Sequence, residues 1–152
     1  MNSIERFKIA QADCYETVLQ EMQAGNKSTH WIWFIFPQIQ GLGSSETSIL
    51  YSIKNIEEAK AYLLDELLSA RYIQLTEILA NEVNGKTAKE IFYWDVKKFK
   101  SSLTLFKITI DRYPDLNEGG RFQSIFKCLE KYFNSELDES TLEILSSSDK
   151  IG

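Results

Sequence analysis

An all-α fold, one compact bundle of about six to eight helices of mixed length, is what this sequence predicts. Three observations carry that reading. Apolar residues recur at three- and four-residue spacing along most of the chain. Capping residues and glycine or proline stops punctuate those stretches. Alternation of period two is missing, and strong β character is confined to residues 31–36. At 152 residues, with 43% hydrophobic and 26% charged side chains, the chain has the size and composition of one globular domain. That domain is expected to span residues 1–146, with 147–152 a frayed tail.

Residues 3–24 carry Ile4, Phe7, Cys14, Val18 and Met22 at helical spacing. They predict one amphipathic helix, capped by Asn2 or Ser3 and stopped at Gly25-Asn26. Ser44-Ser45-Glu46 opens a short helix reaching Tyr51. Asn55 caps the next, with Glu57 and Glu58 in the first turn, where they complement the helix dipole. Asp65 caps a long helix through Leu68, Tyr72, Leu75 and Leu79 to Val83, and Asn84-Gly85 ends it. Thr87 and Glu90 form a capping box. Asp95 then caps a helix whose stripe is Val96, Phe99, Leu103, Phe106 and Ile110, stopped by Tyr113-Pro114. A helix carrying Phe122, Ile125 or Phe126, Leu129 and Phe133 follows, and Thr141–Leu145 forms the last short one.

The stretch from His30 to Ser45 is the unusual one. It holds the only histidine, two of the three tryptophans and a Gly41-Leu42-Gly43 turn, and its apolar run Trp31–Pro37 is unbroken. Built as a helix, the run ends near Phe36 because of Pro37, and His30 and Gln38 lie about 12 Å apart along the axis. Built as a strand, they lie roughly 26 Å apart. Only the short helix lets both polar ends approach one ligand, and it fits the helical surroundings.

Composition excludes several classes. The longest apolar run is seven residues, far short of the roughly 20 that span a bilayer. The first eight residues carry Glu5, Arg6 and Lys8, unlike a signal peptide, so a cytoplasmic protein is expected. A net charge of −5 argues against broad nucleic-acid binding. One histidine and two distant cysteines, Cys14 and Cys128, match no metal-ligand spacing, so the cysteines are read as buried free thiols. No cofactor is implied, since phosphate-loop, dinucleotide and hydrolase-elbow motifs are missing. The charge is uneven: residues 86–107 carry six lysines against Glu90 and Asp95, which is +4 and leaves −9 for the rest. That segment offers a basic surface to an anion.

Candidate site residues follow from these patterns. His30 is the one imidazole available as a general base. Gly43-Ser44-Ser45 runs into a helix N-terminus, whose free N–H groups suit an anion, and Gly41 shapes the turn before it. Lys97, Lys100, Ser101 and Thr104 share one helix side, so Lys100, Ser101 and Thr104 form a polar strip facing the aromatic run. Trp31 or Trp33 would stack the ligand, and Gln38 would close the other end. The bland alternatives are a structural histidine, a simple glycine turn and small residues that permit close helix packing.

The motif H-W-x-W-F-x-F-P-Q-x-x-G-L-G-x-S at 30–45 resembles the signature of a bacterial family catalogued as domain of unknown function 1810. E-R-F-x-x-A-Q at 5–11, E-A-x-A-Y-L at 58–63, A-x-E-I-F at 88–92 and D-x-x-K-x-x-S-S-L-T-L-F at 95–106 fit it in the same order. The resemblance covers nearly the whole chain and implies a mainly helical domain with no stated activity. Some members bear the label calpastatin, but that inhibitor is a disordered chain of repeats, and this sequence has no repeat and a composition that folds. In one place the chain departs from the pattern. After the position of Ile91 the family often has Phe-Gly, whereas here Phe92-Tyr93-Trp94 stands.

Together these readings point to a small anionic or nucleotide-like ligand held in an aromatic pocket between residues 30–45 and the 95–110 helix. If the protein is an enzyme, a hydrolase or transferase using His30 as base is expected. The alternative from another class is a helical module that binds a protein partner and has no catalytic activity.

Overall fold

The structure, a computed structural model, describes residues 4–147. The expected caps Asn2 and Ser3 and tail residues 148–152 lie outside the described residues. Ten α-helices form among the described residues: α1 (Glu5–Ala12), α2 (Tyr15–Ala24), α3 (Ile32–Ile35), α4 (Glu46–Leu50), α5 (Ile56–Leu64), α6 (Glu66–Asn81), α7 (Ala88–Phe92), α8 (Val96–Arg112), α9 (Gln123–Phe133) and α10 (Glu139–Ser146). Among the described residues there is no strand, only an isolated parallel bridge between Ile39 and Ile53. None of the helices is long and apolar enough to cross a membrane.

The excess over six to eight comes from short pieces. The helix expected over 3–24 is two helices, broken at Asp13-Cys14, so the chain turns to bring both against neighbours. The aromatic run is a single turn, α3, which Pro37 ends just past Phe36. Capping follows the sequence closely elsewhere. Ser45, Asn55, Asp65 and Thr87 each accept a backbone N–H at the start of their helices, and Thr87 with Glu90 completes the capping box. Gly25 closes α2 in the left-handed conformation. Asp95 is different: it precedes α8, but its carboxylate pairs with Lys27 at 2.8 Å and Lys98 at 3.4 Å instead of capping the backbone.

Helix α8 is the centre of the bundle. It packs on α5, α7, α9 and α10, while α6 and α9 pair beside it. Phe99, Leu103, Leu105, Phe106 and Ile110 are buried, and so are Ser101, Ser102, Thr104 and Thr109. A one-sided stripe therefore understates this helix, which is covered nearly all round. Its polar residues fit because each hydroxyl finds a bond. Ser101, Thr104 and Thr109 donate to carbonyls one turn back at 2.8–2.9 Å, and Ser102 pairs with the Tyr72 hydroxyl at 2.9 Å.

Phe36, delivered by α3, sits at the aromatic centre, edge-on to Tyr72, Phe92 and Phe99 with centroids 5.1–5.8 Å apart. Two buried charges tie the periphery to this core. Arg6 of α1 bridges Glu58 of α5 at 3.1 Å and donates to the Leu50 and Ser52 carbonyls. Cys128 is buried and Cys14 half-buried, both as free thiols. Burial pushes the Cys128 thiol up to about 12.

Candidate functional site

The segment after α3 determines the site. Gln38 turns partly out of the core after the buried Pro37, its carbonyl accepts from Ile53 N–H at 2.7 Å, and Gln40 N–H donates back to the Ile53 carbonyl at 2.8 Å. This ladder fragment anchors the Gly41–Ser45 turn. Gly41 has φ +114°, and an added Cβ would come within 3.1 Å of Ile144 on α10. An added Cβ on Gly43 would lie 2.6 Å from Ser48 Oγ, too close for any side chain. The turn is thus pressed against α4 on one side and α10 on the other.

Between this turn, the start of α8 and the start of α10 lies a groove of about 250 Å³. Gln38, Leu42, Gly43 and Ser48 line one wall; Lys97, Lys98 and Ser101 line the second, and Asp138 and Ser140 the third. Asp138 caps α10: one carboxylate oxygen, Oδ2, accepts from Thr141 N–H at 2.9 Å and the Thr141 hydroxyl at 2.7 Å. Thr104 fixes the same corner by accepting from Asp138 N–H at 2.9 Å while it donates to the Lys100 carbonyl.

Several polar groups on these walls have no internal partner. Asp138 Oδ1 accepts no hydrogen bond from the described residues, and the Gln38 side-chain amide, the Ser140 hydroxyl and the Lys97 ammonium form none with them. The groove therefore presents cations (Lys97, Lys98), one carboxylate oxygen and neutral donor-acceptors at short range.

The expected site residues divide around this groove. Gln38, Gly43 and Ser101 line it. Thr104 lies directly behind it, fully buried, and Gly41 shapes the turn. Lys100 turns away, its Nζ 5.5 Å from the Phe133 ring centroid, and Ser44 is exposed outside the lining. Trp33 is half-buried and walls a neighbouring concavity of about 10 Å³, room for one water, which shares Gln38, Leu42, Gly43 and Ser48 with the groove.

Trp31 is 1% exposed, so no ligand stacks on it in this conformation. Its indole N–H donates to Glu21 at 2.9 Å, and Lys27 Nζ lies 4.8 Å from its ring centroid. Glu21 also accepts from Ser28 N–H, Thr29 N–H and the Thr29 hydroxyl. Burial raises its carboxyl, but the bonds from Thr29, Trp31 and Ser28 outweigh that and hold it below its usual range. Lys27, itself buried, bonds the Thr29 carbonyl and pairs with Asp95. His30 caps this packed loop on the outside. It is exposed, has no hydrogen-bond partner among the described residues and does not line the groove.

Sequence reasoning missed Asp138, Ser140, Ser48 and Leu42 and gave Lys98 no role in the site. The Asp-x-x-Thr spacing at 138–141 was the available signal for Asp138, since that pattern marks a helix start. Nothing local places it against α8.

A model of the family described as "Protein of unknown function (DUF1810)" matches residues 1–145. Among solved structures, the chain is similar to the conserved hypothetical protein Rv1873 from Mycobacterium tuberculosis, whose crystal structure was determined at 1.38 Å. The two share 37% identity with a TM-score of 0.81, over 93% of this chain and 94% of that one. No curated protein matches the chain.

Proposed function

The chain belongs to the family described as Protein of unknown function (DUF1810), and on the geometry of this member we propose that the groove among residues 38–48, 97–101 and 138–140 binds a small anionic metabolite. The observation that carries this is the convergence there of polar groups without internal partners: Lys97, Gln38, Ser140 and Asp138 Oδ1. Lys97 and Ser140 are exposed and Gln38 is half-buried, so water satisfies these groups and a polar ligand entering the concave wall can replace it. The ligand's carboxylate or phosphate meets Lys97 and Lys98, and a hydroxyl or amino group on it donates to Asp138 Oδ1. A volume of about 250 Å³ favours a compact ligand over a nucleotide-like one, and the groove has no exposed ring on which a base would stack. We read the activity as binding and assign no chemical step, because His30 stands apart from these groups. The setting we infer is cytosolic, in line with two free thiols.

A thermal-shift screen of small carboxylates, phosphates and amino acids tests the reading. A ligand at a hundredfold its Kd stabilises by about 2.7 kcal/mol, a shift of several degrees. Lys97→Gln with Lys98→Gln is expected to abolish the shift while the melting temperature of the free protein hardly changes, and His30→Ala is expected to leave the shift intact. A panel without any shift, or a shift that survives the double lysine change, sinks the proposal.

One observation favours the second reading, a protein-interaction module. Trp94 is 96% exposed, held out by Tyr93, whose backbone adopts φ +53° and ψ −122°. A tryptophan so placed suits the anchor of an interface. Trp94→Ala separates the two readings, since it would weaken a partner's binding and leave the anion's effect on melting untouched.

A further inference from the structure

We propose that a second concavity, between the end of α5, the start of α6, the end of α8 and residues 113–116, binds a free amphipathic anion: one carboxylate or phosphate head on a short apolar body. Its volume is about 770 Å³, within the range of small-molecule pockets. Three cations from separate parts of the chain converge on it, Lys60, Arg112 and Arg121, in a protein whose net charge is −5.

Two of these cations are pre-positioned by aromatic rings. Lys60 Nζ lies 4.2 Å from the Tyr113 ring centroid and Arg112 Cζ lies 5.8 Å from the same centroid, so both stand at one ring. Arg121 is held by its bond to Ser69 Oγ at 2.8 Å and lies 4.8 Å from the Phe122 ring centroid. Neither Lys60 nor Arg121 forms an ion pair among the described residues. A planar guanidinium fixed in place loses little freedom when it takes a carboxylate or phosphate.

The apolar half comes from the same wall. Leu64 is 62% exposed and also lines an adjoining open concavity with Leu67, itself 44% exposed, and Ala70. One exposed leucine means little. Two of them, leading outward from three cations, make a track for a chain or ring attached to the anionic head. Glu66 and Asp115 also line the first concavity. They limit the head to a small charge and exclude a large polyanion.

Titration calorimetry with octyl phosphate, below its micelle concentration, tests this on the intact protein. Saturable one-to-one binding is expected. Arg112→Gln with Arg121→Gln should weaken it at least about ten-fold, as loss of charge-assisted contacts implies. Glu66→Gln should tighten it, and Lys97→Gln with Lys98→Gln should leave it unchanged, which separates this site from the groove proposed above. Inorganic phosphate and octanol, each lacking one half, should bind at least about ten-fold more weakly, since each forfeits one class of contact. Octanol binding as well as octyl phosphate, or binding indifferent to both the arginine pair and Glu66→Gln, overturns the proposal. So does co-sedimentation with phosphatidic acid vesicles that the arginine changes abolish, which would assign the head to a bilayer. Circular dichroism checks the fold of each variant; if the arginine pair does not fold, Lys60→Gln and Glu66→Gln decide it by their expected opposite effects.

Discussion

Gly43 and Glu21 show how single residues fix the neighbourhood of the groove. Gly43 faces Ser48 so closely that a Cβ would sit 2.6 Å from its hydroxyl and 2.8 Å from its Cβ. Gly43→Ala must therefore displace α4 or the turn, and a loss of about 1–3 kcal/mol is expected from this overpacking, read by urea unfolding. Ligand binding should fall with it, because Ser48 and Leu42 move. Glu21 holds the 26–31 loop through four donors, and its carboxyl lies below the ordinary value of 4.5 in the folded protein. A depressed carboxyl contributes stability that is fully present above the unfolded pKa and is lost as pH falls through the folded one. Stability should thus be level above about pH 5 and decline in acid. Glu21→Gln should cost roughly 1–3 kcal/mol at pH 7 and flatten part of that decline, because two backbone N–H groups and an indole lose a charged acceptor. An unchanged acid limb in the variant would assign the decline to other carboxylates, such as Asp65.

At the scale of elements, the junction between α7 and α8 is the informative one. The family resemblance places a glycine after Phe92, and here Tyr93 stands at that point with φ +53° and ψ −122°. A side chain in that region costs of order 1–3 kcal/mol, and glycine adopts it freely. Tyr93 recovers part through the bond from its hydroxyl to Asn26. Tyr93→Gly is accordingly expected to leave the protein as stable or up to about 2 kcal/mol more stable, by thermal unfolding, although it deletes a large side chain. A marked loss would mean that the Tyr93–Asn26 bond outweighs the backbone strain. The same junction explains why Asp95 does not cap α8. Its carboxylate is drawn to Lys27, which packs on Trp31, so the start of α8 is tied to the loop before α3. That link ties the α8 wall of the groove to the chain that leads into α3.

Across the whole molecule, the Arg6–Glu58 pair fastens the first helix to the fifth, buried at both ends. Removing Arg6 takes the guanidinium from a buried carboxylate that keeps its bond from Lys54 N–H, so Arg6→Met is expected to cost about 3–5 kcal/mol, whereas Arg6→Met with Glu58→Leu should regain much of it. Chemical denaturation of the two variants measures this; equal losses would show that the bonds from Arg6 to Leu50 and Ser52 carbonyls matter more than its charge.

Helix class, most helix starts and the Gly25 stop were legible in the chain itself, because capping and periodicity are local: Ser45, Asn55, Asp65 and Thr87 act within three residues of themselves. Gln38, Gly43 and Ser101, singled out from the sequence by turn chemistry and misplaced small polar residues, all line the groove. Tertiary structure alone decided the rest. It buried Trp31 against Glu21, sent Lys100 toward Phe133, left His30 outside, and brought Asp138 from a distant helix start onto the wall of α8. The Lys100–Phe133 and Thr104–Asp138 contacts join faces more than thirty residues apart. Even the Trp31–Glu21 pair, ten residues apart, depends on how a helix and the loop after it fold back, which local spacing does not record.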